Sequence, residues 1–328
     1  MTRYLILGAG AIGGVVGARL AESGRDVVLV ARGDHAASMA RDGLPLDAPD
    51  GSITGHLPVI EDLGLLDVRA GDVALLCVKS QSTEGVVRRL AEIAPPDLPV
   101  VCLQNGVSNE ARVASCFEQT YGAVVMCPAT HLEPGVVVAH SAPLAGVIDV
   151  GCYPEGTDDR CDQLAGDLST AGFGSRAVPD IMRWKYAKLL LNLTNVLDAL
   201  LEDSGSGRLV GLVYEEGRQV LEAAGIEYAS PDEDASRRDG RVSIVVGRGR
   251  RREGGSTWQS VARGASETEV PYLNGAIVEL GRTVGVATPV NELIVGLDRE
   301  ALTSGRGPRS YCEVDVLARL DPSVTFGR

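Results

Sequence analysis

The chain has 328 residues, 45% of them apolar and 23% charged, which suits about two folded domains and excludes a short peptide or a disordered chain. Its 44 acids against 31 Lys and Arg give a net charge of −13, which repels polyanions and argues against a nucleic-acid partner. The one basic run, Arg248 to Arg252, follows the acidic Pro231-Asp-Glu-Asp segment and precedes Glu253, so it reads as a solvated loop.

Taken in chain order, short β-branched runs alternate with helical stretches over the first half. Strands are expected at Tyr4–Leu7, Val27–Ala31, Val73–Val78 and Val100–Leu103, with helices over Ala11–Ser23 and Thr83–Ala94. Gly24 and the Pro95-Pro96 pair supply the stops. This is the pattern of a doubly wound parallel sheet. From Ala123 to Gly151 shorter β-rich pieces suggest an antiparallel sheet edge. After Val178-Pro179 helices are expected over Asp180–Leu201, Arg208–Ala224, Val270–Val284 and Pro289–Thr303. Between Ser230 and Gly255 only Val242–Val246 is apolar. The expected fold is therefore α/β: a Rossmann-type domain over residues 1–178 and an all-helical domain over 179–328.

No apolar stretch approaches the roughly 18 residues that a membrane helix needs, so a soluble cytoplasmic protein without a membrane partner is expected. The seven cysteines are odd in number and contain no Cys-x-x-Cys pair, and the four histidines form no cluster. Buried reduced thiols and no metal site are expected.

The sharpest motif is Gly8-Ala9-Gly10-Ala11-Ile12-Gly13, directly after a strand and opening a helix. The first glycine serves a tight turn, the second admits a pyrophosphate to the backbone, and the third lets helix and strand pack closely, so a dinucleotide is expected here. At the tip of the second strand Arg32 stands where an NAD site usually has an acid, which favours the 2′-phosphate of NADP(H), although Asp34 lies close by. Lys79 and Asn105 each follow a predicted strand, at the sheet edge where ligands bind. In the helical half, Lys188, Asn192 and Asn195 recur at i, i+4 and i+7 on a leucine-rich helix, a polar stripe that asks for a polar ligand. Ser256, Thr257 and Glu269 form a later polar cluster that reads equally as helix capping.

Together these segments resemble the ketopantoate reductase family over nearly the whole chain. The marks are Gly8-Ala-Gly-Ala-Ile-Gly, Val78-Lys79, Gln104-Asn105-Gly106, Lys188-Leu-Leu-Leu-Asn192, Ser256-Thr257 and Thr268-Glu269-Val-Pro-Tyr-Leu-Asn274-Gly275. The resemblance implies an N-terminal Rossmann domain, a helical C-terminal domain, an active cleft between them, and NADPH-dependent reduction of a 2-oxo acid to a D-hydroxy acid on the route to pantothenate. It implies that Lys188 donates the proton to the carbonyl oxygen and that Glu269 lies near that lysine and the substrate. Asn192, together with Ser256 or Thr257, would bind the substrate. Asn105 would lie near the nicotinamide, and Arg32 and Lys79 on the adenosine phosphate side. Lys185, three residues before Lys188, is the rival proton donor. The chain departs from the family where a second Asn is common eight residues after the lysine: Val196 stands there and Asn195 one position earlier, about 100° away on a helix. The substrate could then be ketopantoate, another 2-keto acid or a small ketone, and a non-catalytic NADP(H)-binding regulator is the competing class. Homodimerisation is left open.

Overall fold

The computed structural model describes residues 2–203, 207–245 and 254–320. The Arg248–Arg252 run lies outside the described residues. By packing, the chain forms two compact units, Met1–Lys185 with Ser230–Arg252, and Tyr186–Ala229 with Glu253–Arg328.

The first unit opens with β1 (Arg3–Leu7), α1 (Ala11–Glu22), β2 (Asp26–Val30) and α2 (Gly33–Asp42). A hairpin of β3 (Leu44–Ala48) and β4 (Gly51–Gly55) follows, then β5 (Val59–Ile60), β6 (Asp72–Leu76), α3 (Thr83–Ala91), β7 (Val100–Cys102) and α4 (Asn109–Ala114). The chain continues through β8 (Thr120–Met126), β9 (Ala129–Thr130), β10 (Val137–Ala139), β11 (Ser141–Pro143), β12 (Gly146–Cys152), α5 (Asp159–Thr170) and β13 (Phe173–Gly174). Eight strands form the main sheet in the order β13-β12-β8-β7-β6-β1-β2-β5. Its pairings are parallel except where β12 meets β8, so the expected antiparallel edge is present. β4, β3, β10 and β9 form a smaller sheet.

Burial on both faces explains why these strands are continuous apolar runs. Tyr4, Ile6, Val27, Leu29, Val73 and Leu75 enter the core on one face, and Leu5, Leu7, Val28, Val30, Ala74 and Leu76 enter the core on the other. From β1 the chain winds outward to β2 and β5 on one side and to β6, β7 and β8 on the other. The topological switch therefore lies between β1 and β6, where ligands of such sheets bind.

Helix α6 (Ile181–Asn192) starts in this unit. Gly122 and Gly151 face each other across β8 and β12, and an added Cβ would lie 3.2 Å from Ile181 at Gly122 and 2.8 Å from it at Gly151. The missing side chains make room for the start of α6, so this unit extends to Lys185 where the sequence suggested a cut after residue 178. The charged stretch after Ser230 also belongs here, as α9 (Pro231–Arg238) and β14 (Val242–Ile244), which pairs with β11. Asp149, fully buried, receives hydrogen bonds from the Arg237 guanidinium, and Arg183 pairs with Glu233 at 2.7 Å. Those long-range ion pairs hold a segment whose own sequence is too polar to show where it packs.

Described residues of the second unit form helices: the end of α6, then α7 (Asn195–Leu200), α8 (Arg208–Ala223), α10 (Ser256–Ala262), α11 (Asn274–Val284), α12 (Pro289–Ser304) and α13 (Glu313–Leu317). The C-terminal half is thus helical apart from β14. Leu193, Leu197, Val213, Val220, Ile277 and Ile294 are fully or almost fully buried in it. The single helix expected over Asp180–Leu201 is two, broken at Leu193-Thr194. Asn274 Nδ2 donates to the Leu193 carbonyl at 3.0 Å and so satisfies an oxygen at the break. Asn274 also donates to Asn291 Oδ1, and Asn291 donates to buried Glu216. Glu216 accepts the Val290 and Asn291 N–H groups as well, neutralising the start of α12.

No helix of the described residues is long and apolar enough to cross a membrane. All seven cysteines are free thiols, and Cys312 is exposed rather than buried.

Candidate active site

The glycine loop occupies the β1 side of the switch point. Gly8 has φ +103°, and a Cβ there would lie 2.7 Å from the Val78 side chain beyond β6. A Cβ on Gly13 would fall 2.2 Å from the Gly8 carbonyl oxygen, so only glycine lets α1 approach β1 this closely. Gly10, the N-cap of α1, faces open space. The first turn of α1 has neither a side-chain cap nor an acid, which leaves its positive end available to an anion. Ala9 and Ala11–Ile12 complete the turn into that helix. These features fit a dinucleotide pyrophosphate.

A residue that sequence reasoning missed holds this loop. The Gly135 N–H donates to His35 Nδ1 at 2.8 Å, so Nδ1 carries no proton and Nε2–H donates to the Ala9 carbonyl at 2.7 Å. Burial lowers the His35 pKa, consistent with a neutral ring. The nearest sequence signal was a lone histidine after Arg32, and its partner Gly135 is 100 residues away.

Arg32 is exposed at the tip of β2, as N-cap of α2, and forms no ion pair among the described residues. Lys79 and Asn105 are half-buried and follow β6 and β7. A buried network ties their loops together. Gln104 Nε2 donates to the Val78 carbonyl at 2.8 Å and to Thr83 Oγ1 at 2.7 Å, and Thr83 donates to Asn109 Oδ1 at 2.9 Å. Asn109 in turn donates to the Asn105 carbonyl at 2.9 Å and to Ser80 Oγ at 3.2 Å. The structure therefore brings Gly8–Gly13, Lys79 and Asn105 onto adjacent loops at one end of the sheet.

Lys185 is the fully buried lysine. Its Nζ lies 2.5 Å from Glu110 and donates to the carbonyls of Gln104 at 3.0 Å and Ala123 at 3.3 Å. Paired with Glu110 and hydrogen-bonded to two carbonyls, Lys185 braces the Asn105 loop.

In the second unit Lys188 and Asn192 lie one turn apart on α6 and are half-buried. Asn195 is the first residue of α7, not a continuation of the same helical stripe, because the helix breaks before it. Its Nδ2 nevertheless donates to Asn192 Oδ1 at 3.2 Å, leaving Asn192 Nδ2 buried without a partner among the described residues. α10 packs on α7, with Gly255 N–H donating to Asp198 at 2.8 Å and the Gly255 Cα side facing Asn195. Ser256 and Thr257 open α10; neither caps it, and buried Thr257 Oγ1 has no partner among the described residues. Glu269 is buried at the start of the turn Val270–Tyr272. The Thr268 hydroxyl beside it donates to Asp298 at 2.7 Å and accepts the Val270 N–H, which fixes that turn. Asn192 Nδ2 and Thr257 Oγ1 could each form a hydrogen bond with a polar ligand. By contrast, a cleft of about 750 Å³ lined by Arg176, Trp184, Arg237 and Arg241 contains none of the expected site residues.

Comparison with known proteins finds relatives along nearly the whole chain. Residues 4–155 match the family described as "Ketopantoate reductase PanE/ApbA", and residues 180–301 match its C-terminal counterpart. The chain is similar to the 2-dehydropantoate 2-reductase of Archaeoglobus fulgidus, 31% identical over 90% of this chain and 97% of that protein. It is also similar to the 2-dehydropantoate 2-reductase of Pyrococcus horikoshii, 28% identical over 94% of this chain and all of the other. A solved ketopantoate reductase of this family from Ralstonia eutropha superposes with a TM-score of 0.77 at 26% identity, covering 93% of this chain and 100% of that one. With both halves matched in order and the glycine loop, the Lys188–Asn192 helix and the Glu269 turn in place, the chain belongs to the ketopantoate reductase family.

Proposed function

We propose that this protein reduces 2-dehydropantoate to D-pantoate with NADPH. When bound, the nicotinamide supplies the hydride. Gly8 to Gly13 and the open end of α1 would hold the pyrophosphate, Arg32 the 2′-phosphate, Lys79 the adenosine phosphate side, and Asn105 the nicotinamide ribose region. Lys188 donates its proton to the carbonyl oxygen as negative charge develops there. Glu269 orients that ammonium and the substrate hydroxyl. Asn192, Asn195, Ser256 and Thr257 bind the carboxylate and hydroxyl groups. The observation that carries the substrate assignment is the pair of buried atoms Asn192 Nδ2 and Thr257 Oγ1, one donor and one hydroxyl without a partner among the described residues, at positions that the sequence resemblance assigns to substrate binding.

The test is NADPH oxidation by the purified protein with ketopantoate, pyruvate and 2-oxoisovalerate in parallel, and NADH as cofactor control. Rapid turnover with ketopantoate alone is expected. Turnover only with another 2-oxo acid would move the substrate within the same chemistry, a reading favoured by Asn195 opening α7 while Val196 holds the family's second Asn position. Tight NADPH binding without any turnover would make the protein a regulator.

A further inference from the structure

Far along the sheet from the glycine loop, the end of β12 and the start of α5 bring three ligand-bearing side chains together. Cys152 Sγ and Cys161 Sγ are 3.8 Å apart, and these sulfurs and an Asp158 carboxylate oxygen all lie within 4.8 Å of one another. We propose that Cys152, Asp158 and Cys161 form a binding site for a thiophilic divalent cation, Zn2+, with one coordination position open to solvent.

Geometry is the main argument. Two Zn–S bonds of about 2.3 Å at a tetrahedral angle place their sulfurs about 3.8 Å apart, so the thiols already stand at the spacing the ion requires. Each Asp158 oxygen spends one lone pair inside the protein: Oδ1 accepts the Cys161 N–H at 2.9 Å and Oδ2 accepts the Tyr121 hydroxyl at 2.8 Å. A second lone pair remains on each oxygen for the ion, and Tyr121 becomes the outer partner that orients the ligating carboxylate. Access is provided by a cleft of about 500 Å³ lined by Asp158, Tyr121, Gln119 and Gln163 among others. The fully buried Cys161 and half-buried Cys152 anchor the site to the core, while exposed Asp158 closes it from outside. The eight residues between the cysteines hid this site from motif spacing, because β12 must end and α5 must begin before the two meet.

Formation of the site expels one proton from each thiol as its Zn–S bond forms, with no change of oxidation state. The ion would bridge the end of a sheet-edge strand to the first turn of a helix.

Titration of the reduced full-length protein with Co2+ tests this. A thiolate-to-cobalt charge-transfer band saturating at about one equivalent and bleached by Zn2+ is expected. Cys152→Ser should lose the band and weaken Zn2+ by at least about 100-fold, while Tyr121→Phe should weaken it roughly tenfold. Since Cys161 is in the core, Cys152→Ser and Asp158→Asn are the decisive variants, and unchanged NADPH turnover certifies their fold. Absence of a thiolate band, or a band that survives Cys152→Ser, overturns the proposal. Loss of these two thiols to a disulfide in air, with no metal uptake by the reduced protein, overturns it equally.

Discussion

Lys185 Nζ lies 2.5 Å from a Glu110 carboxylate oxygen, and the two side chains are only 2% and 0% exposed. A lysine in the second turn of α6 and a glutamate on α4 thus form an ion pair closed off from water, with the Gln104 and Ala123 carbonyls accepting hydrogen bonds from the ammonium. Removing one member strands a buried charge. Lys185→Met or Glu110→Gln should each destabilise the protein by about 3–5 kcal/mol, whereas Lys185→Met combined with Glu110→Leu should recover much of that loss. Urea unfolding of the three variants measures it; additive losses would show that the pair is not coupled.

Lys188 carries the opposite expectation. Lys188→Ala should reduce turnover by about 10²–10⁴ while leaving NADPH affinity and melting temperature close to wild type. Steady-state rates and cofactor fluorescence titration separate the two effects, and full turnover would return the proton-donor role to another group.

Arg32 is exposed and forms no ion pair among the described residues, so its loss should be felt only through the ligand. Arg32→Ala should weaken NADPH by about 10- to 150-fold, equivalent to one charge-assisted contact of roughly 1.5–3 kcal/mol, and leave NADH almost unchanged. Parallel affinities for the two cofactors decide it.

Thr257 and Asn192 leave polar atoms buried without a partner among the described residues, a cost that a ligand would relieve. Thr257→Val keeps the shape and removes the orphan hydroxyl. The variant should be as stable as wild type or slightly more so, yet show a KM for the 2-oxo acid raised roughly tenfold. A drop in melting temperature with KM unchanged would assign the hydroxyl a purely structural role.

His35 ties pH to the glycine loop. Its pKa is lowered in the folded protein, so the unfolded chain binds the proton more tightly. The stability contributed by the neutral ring is complete above the unfolded value of about 6.5 and declines as pH falls below it, when protonation of Nδ1 abolishes the bond from Gly135 N–H. Melting temperature measured from about pH 7 to 5 should fall more steeply in wild type than in His35→Ala, with NADPH affinity following the same trend.

Much of the fold was legible because it is written locally. Leu5 to Leu7 and Val73 to Leu76 are apolar on both faces, which only a covered parallel strand requires, and the Gly8–Gly13 spacing states a turn and a helix start directly. Lys188 and Asn192, one turn apart on one helix, were equally readable. What escaped depends on distant partners. Asn195 was misplaced because the break in α6 is stabilised by Asn274, 81 residues from Leu193. The destination of α9 rests on Arg237 meeting Asp149, and the bracing role of Lys185 on Glu110, neither of which any local period reveals.

The buried carboxylate of Asp149 has a practical meaning for anyone dividing this chain. The Arg176 N–H donates to it and the half-exposed Arg176 guanidinium lies 3.4 Å away, but its side-chain hydrogen bonds come from Arg237, beyond a stretch of helix that belongs to the other unit. A fragment ending near residue 185 would contain a complete dinucleotide-binding sheet but would keep Asp149 in the interior without its principal cation. Such a fragment should aggregate or melt early, and a separate peptide spanning α9 and β14 should rescue it by supplying the missing guanidinium.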